Sequence, residues 1–143
     1  MRDKAKIYLA AADSDASKFI FHYSDDAPII IKALLAAEDH RAQFHRGIDI
    51  VSLARSVLFV ISRSRICGVS TIEQQYVRTI FKRSDAIWKC KLRELWIVIT
   101  ARRFARKDAI WLGYLWRAYY GHGLNGYKDV RALFCENAQT LDL

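Results

Sequence analysis

Two glutamates stand where a carboxylate could do acid–base work. Ile31, Leu34, Leu35 and Glu38 recur at i, i+3, i+4 and i+7, so Glu38 continues an apolar helical stripe. A carboxylate there is expected to be partly desolvated, which makes it a better proton acceptor. Ile87, Lys91, Glu94 and Val98 share a second ridge, with Lys91 and Glu94 in the order less favourable for a plain surface pair. Two carboxylates set into helical faces suit glycosyl chemistry, where one group handles a hydroxyl proton and the other helps the leaving group. The plainer alternatives are a helix-end carboxylate facing water for Glu38 and a solvated ion pair for Lys91 and Glu94.

A third constellation is "CGVSTIEQQYVRTIF", residues 67–81. Ser70 fits a helix N-cap, and Glu73 three residues on completes a capping box. Capping leaves Thr71, Gln74 and Gln75 unexplained. A cluster of donors beside free backbone amides is also how a helix start binds an anion. Both readings fit the same residues.

Elements must position these groups. The chain has 143 residues and 52% hydrophobic residues, enough for one domain with a core and too apolar for disorder. One proline and six glycines favour helices over a turn-rich β fold. Helices are expected over "APIIIKALLAAEDH" after Asp26, over "DIVSLARSVLFVISRSR" capped by Asp49, from Ser70, from Ser84, over "KDAIWLGYLWRAYY" up to Gly121, and around "DVRALF". "KFIFHYS" reads as a short strand. The net charge of +8 points to an anionic partner: nucleic acid, a membrane surface or a phosphorylated substrate. Cys67, Cys90 and Cys135 form no CxxC pair and imply neither a disulfide framework nor a zinc site. The first residues hold no signal-peptide core, and elsewhere no apolar run is longer than that of "VLFVI", far too short to span a membrane.

"AAEDHRAQFHRGID", residues 36–49, resembles the first motif of the family 51 glycosyltransferases, the peptidoglycan polymerases. Glu38, Asp39, His45 and Gly47 match it, with Ala42 where the family has Phe. "GVSTIEQQYVRTIF" resembles the family's GGSTITQQ and the Lys-Asn pair after it; "CKLRE" resembles its RKxxE. "RKDAIWLGYLWRAYYG" and "GLNGYKDVRALF" resemble the later Lys-Asp helix and glycine loop. The motifs run in family order from about Ala27 to Phe134.

The resemblance implies a mostly α, lysozyme-like two-lobed helical domain over residues 1–143, lacking the family's N-terminal anchor and its C-terminal helices. It implies a peptidoglycan glycosyltransferase that polymerises lipid II, inverting the donor's anomeric carbon. Glu38 and Glu94 would be catalytic, and Asp39, His45, Ser70, Thr71, Gln74, Gln75, Arg78 and Lys91 would bind substrate. Partners would be lipid II, a lipid-linked glycan chain and an anionic membrane surface, without nucleic acid. A divalent metal (Mg or Mn) would be the one cofactor, and the place would be the outer face of the bacterial cytoplasmic membrane. Glu73, where the family has Thr, is expected to turn back onto Ser70. Val69, Arg78, Thr79, Cys90, Leu112 and Trp116 are further departures from the pattern. Two other readings remain. One is a lysozyme-like peptidoglycan-cleaving enzyme using Glu38 as acid. The other is a non-catalytic basic module using "ARRFARK" and "SRSR".

Overall fold

A computed structural model describes residues 2–54, 70–81 and 87–141. Their elements are α1 (Arg2–Tyr23), α2 (Ala27–Glu38), a 3-10 turn (Ala42–Phe44), α3 (Ile72–Ile80), α4 (Ile87–Ala101), α5 (Lys107–Arg117) and α6 (Gly126–Leu141). The fold is mostly α, as expected. The described residues include no strand, only an isolated bridge between Tyr119 and Asn125. A further helix opens at residues 50–54; most of the helix expected after Asp49, and Ser84 as a helix start, lie outside the described residues.

The strand expected at "KFIFHYS" is instead the last part of α1. Ala5, Tyr8, Ala12, Asp15, Ala16 and Phe19 are buried at helical spacing along it. Small alanines let this face lie close along α5, and α1 also packs on α4. Ile20 and Phe21 belong to the exposed face, so local β preference yields to helix packing. The short helix expected around "DVRALF" likewise grows to the whole of α6, and α5 stops at Arg117, before Gly121.

α5 is the core element, with Ala109, Ile110, Leu112, Gly113, Tyr114 and Leu115 all buried. Leu112, one of the departures from the motif pattern, is part of this core. α3 packs on α5 and α4. Its Tyr76 lies across Gly113, where a Cβ would come within 2.8 Å of the phenol oxygen. The Tyr76 hydroxyl donates to Asp15 at 2.7 Å, and Arg117 binds the same carboxylate through Nε and, at 3.0 Å, Nη2. Three helices therefore meet at one fully buried carboxylate. Burial, and then the bond to Asp15, push the Tyr76 pKa far up, so the phenol stays a donor.

A second junction closes the C-terminal side. Phe19, Tyr23 and Tyr127 pack in edge-to-face and tilted pairs with ring centroids 5.3 to 5.5 Å apart, and Arg131 pairs with Asp26. Between α5 and α6, Gly126 takes φ +75° and donates to the Ala118 carbonyl at 2.8 Å. A side chain there would strike the Trp116 carbonyl.

Tyr76→Phe keeps the ring and removes one bond to a buried charge, so it is expected to cost about 2 kcal/mol of stability. Urea unfolding with an unchanged m-value checks it; an unaltered midpoint would mean that Arg117 alone satisfies Asp15.

Candidate active site

α2 ends at Glu38, and the chain then folds into a compact loop against the start of α3. Asp39 caps α2 through its backbone N–H to Leu35. Its Oδ2 accepts from the Ile72 amide at 3.4 Å, and its Oδ1 faces His45 Nε2 at 3.1 Å. The Gly47 amide donates to His45 Nδ1, which puts the ring proton on Nε2. Thr71 donates to the Gly47 carbonyl at 2.8 Å and accepts from the Gln74 amide. Lys107 reaches from α5 to the carbonyls of Ala42 and His45.

Asp49 caps the next helix, accepting from Val51 N, Ser52 N and the Ser52 hydroxyl, with Arg41 at 2.9 Å. Burial works against its charge, but the Ser52 bonds and Arg41 outweigh that and lower its pKa to about 2.

The exposed side of α3 carries a second network. The Gln75 amide donates to Glu38 Oε2 at 3.0 Å and to the Ser70 carbonyl at 3.4 Å. The Ser70 hydroxyl accepts from Lys91 at 2.9 Å, and Lys91 also bonds Gln74 Oε1. Lys91 lies 3.8 Å from Glu94, and Arg78 grips both Glu94 oxygens at 3.0 Å. Glu38 and Glu94 are therefore the ends of one polar chain built on α3. The Tyr114 hydroxyl donates to Gln75 Oε1 at 3.0 Å, which turns the amide's NH2 toward Glu38. Burial, then the charge of Glu38, raise the Tyr114 pKa to about 12, so it remains a donor.

Several expectations change. Glu38 is exposed rather than partly desolvated, because it is the last residue of α2. Glu94 is the buried one, 3% exposed, while the Arg78 and Lys91 side chains keep about a third of their surface open, at 32% and 30%. A solvated Lys91–Glu94 pair is thus ruled out. Thr71, not Ser70, is the N-cap of α3. Glu73 does not turn back onto Ser70: it is buried, and neither of its oxygens has a partner. Asp39, Thr71, Gln74 and the His45 side chain are buried, while Ser70, Gln75, Arg78 and Lys91 are partly exposed. Sequence reasoning missed Tyr114 and Asp15. Each is a polar group on an apolar helical stripe, a signal shared with many residues that do nothing.

Among the described residues, the acidic groups at this site do not fit a divalent metal. Arg78 and Lys91 already surround Glu94. Asp39, His45 and Glu73 lie close enough together to share an ion, but the Gly47 amide leaves the His45 Nε2 with a proton where a metal needs a lone pair.

Residues 5–143 match the transglycosylase family, which sets the class. The chain belongs to that family. It is 36% identical over 119 residues to penicillin-binding protein 2D of Bacillus subtilis (strain 168), which covers 82% of this chain and 17% of that protein. It is 36% identical over 113 residues to penicillin-binding protein 1F of the same strain, covering 78% of this chain and 16% of that protein. With the monofunctional glycosyltransferase of Staphylococcus aureus (strain JH9) it shares 31% over 106 residues, 73% of this chain and 39% of that protein. The chain thus spans less than half the length of these three relatives.

Burial raises the pKa of Glu73 above its usual 4.5. A carboxylate with a raised folded pKa binds its proton more tightly folded than unfolded. Stability is therefore lost as pH rises from 4.5 toward the raised value, then levels off. Glu73→Gln removes that loss. Its melting temperature is expected to gain on wild type between pH 4 and pH 7; a constant difference across that range would contradict the burial argument.

Proposed function

We propose that this chain carries out glycosyl transfer from a lipid-pyrophosphate-linked glycan to lipid II, with Glu38 as the base. The observation that carries this reading is the continuous polar chain from Glu38 through Gln75, Ser70 and Lys91 to Glu94 and Arg78, in a member of the transglycosylase family. Glu38 takes the proton of the acceptor's 4-hydroxyl. That oxygen forms a bond to the donor's anomeric carbon from the face opposite the leaving group. The bond from that carbon to the phosphate oxygen breaks, its electron pair leaves on the pyrophosphate, and the configuration inverts. Lys91 and Arg78 offer N–H donors and positive charge to the departing pyrophosphate.

Glu94 acts through them. With Arg78 on both its oxygens, it is a positioning residue that fixes the direction of the cations. Gln75, held by Tyr114, does the same for Glu38. Asp39, His45 and Thr71 hold the loop that carries Glu38 to the start of α3. A cleaving enzyme would leave Lys91, Arg78 and Glu94 without a task.

The lipid-linked substrates set the place of action at the outer face of the bacterial cytoplasmic membrane. The described residues include no helix long and apolar enough to cross a membrane. Exposed Phe44, Ile50 and Val51 lie beside Arg41 and Arg46, a mixture that suits an anionic lipid surface.

With labelled lipid II in detergent, Glu38→Gln is expected to lower polymerisation by about 10²- to 10⁴-fold while the fold persists. Undiminished strand synthesis would remove Glu38 as the base. Lys91→Ala is expected to weaken binding of a phosphoglycolipid inhibitor such as moenomycin by about tenfold or more, the worth of a bond to a charged group. Equal binding by mutant and wild type would show that Lys91 does not meet the phosphate.

A further inference from the structure

Behind α3 lies a cavity of about 290 Å³ that the polar chain does not enter. Glu73 lines it, two residues from Gln75 and so about 200° around the helix, on the opposite face. α1 contributes Tyr8, the loop Arg46 and Gly47, and α5 Lys107 and Ile110. Two features are unusual. Both Glu73 oxygens and the Tyr8 hydroxyl are buried without a partner, the residues being 2% and 1% exposed. Such groups cost stability unless something binds them. Lys107, an ammonium of the same lining whose charge reaches Glu73, is bonded to the Ala42 and His45 carbonyls.

The chemistry of the walls is graded. The polar end holds a carboxylate and a phenol, which together receive an ammonium group. Val98, Ala105 and Ile110 form apolar wall that suits a methylene stem. Arg46, Arg102 and Arg103 are exposed residues of the same lining and offer guanidinium groups to an anion. We propose that this cavity binds a small straight-chain amino acid, with its terminal ammonium on Glu73 and Tyr8 and its carboxylate on the arginines. The ligand's ammonium is the partner that the buried carboxylate lacks. The site is separate from the glycosyl-transfer chemistry, and its occupancy does not depend on turnover.

The test uses 6-aminohexanoate as probe, with hexanoate and hexylamine as single-ended controls, read by calorimetric titration and by the shift in melting temperature of the full chain. Saturable binding with Kd of roughly 1 mM is expected for the two-ended probe, with each control weaker by about tenfold. Glu73→Gln is expected to abolish the difference between the probe and hexanoate, and Arg103→Ala to narrow the difference between the probe and hexylamine. Tyr8→Phe provides a second variant at the polar end, expected to weaken the probe several-fold. Absence of saturable binding by the wild type at 20-fold the expected Kd, or equal binding by wild type and Glu73→Gln, would overturn the proposal. So would Glu73-dependent binding of Mg²⁺ alone, which would make the site one for a metal.

Discussion

Asp15 is a carboxylate with no access to water, held there by Tyr76 and Arg117 from two other helices, with Lys18 of its own helix 4.0 Å away. That requirement fixes more than one contact. It sets the rotation of α1, since Asp15 must face inward among alanines. It sets α3 against α5, since the Tyr76 hydroxyl must cross Gly113 to reach it. A buried charge of this kind is a poor source of net stability, but breaking it is costly, so alternative packings of the three helices are disfavoured. Once α3 is held by Tyr76, Gln75 and Arg78, about 100° and 200° around the helix from it, are turned toward the less buried side.

The start of α3 shows how one helix end can serve two purposes. Its first free amides are met by protein groups: Ile72 N by Asp39, Gln74 N by Thr71. These bonds join the helix to the loop after α2 and so place Glu38 beside Gln75. On the proposed reading, the positive charge for an anion comes from Lys91 and Arg78 rather than from bare amides. Glu94, packed beneath them, holds the cations in one geometry and would limit their reorganisation as phosphate charge develops.

Much of this arrangement was legible in the sequence, and the reason differs by element. α2, α3 and α5 carry helical periodicity or caps within their own residues, and the ordered motifs carried the likeness to a transglycosylase. α1 was not legible, because half of its buried positions are alanine, which scores as neither core nor surface, and its end holds "KFIF". Only contact with α5 decides it. Of the alternatives that the sequence leaves open, Glu38 takes the helix end facing water and Glu94 the place set into the helix face. Periodicity gives the face of a helix, but not whether the next chain covers its last residue. Ser70 and Glu73 formed a capping box in the sequence, yet Thr71, one residue on, is the cap, accepting from the Gln74 amide while its hydroxyl proton goes to the Gly47 carbonyl. A local rule lost there to a bond between segments 24 residues apart.

The absence of a side chain at Gly113 also sets a length. α3 and α5 touch there at the closest approach that a tyrosine ring on bare backbone permits. One residue further along α5, Tyr114 reaches back to α3 to hold Gln75. The separation of the two helices is thus the adjustment screw for the hydrogen bond that aims at Glu38. A methyl group at residue 113 would add no polar atom and touch no substrate. It would nevertheless lengthen the span that Tyr114 must cross, so the focus of the site is ground into the helix spacing itself.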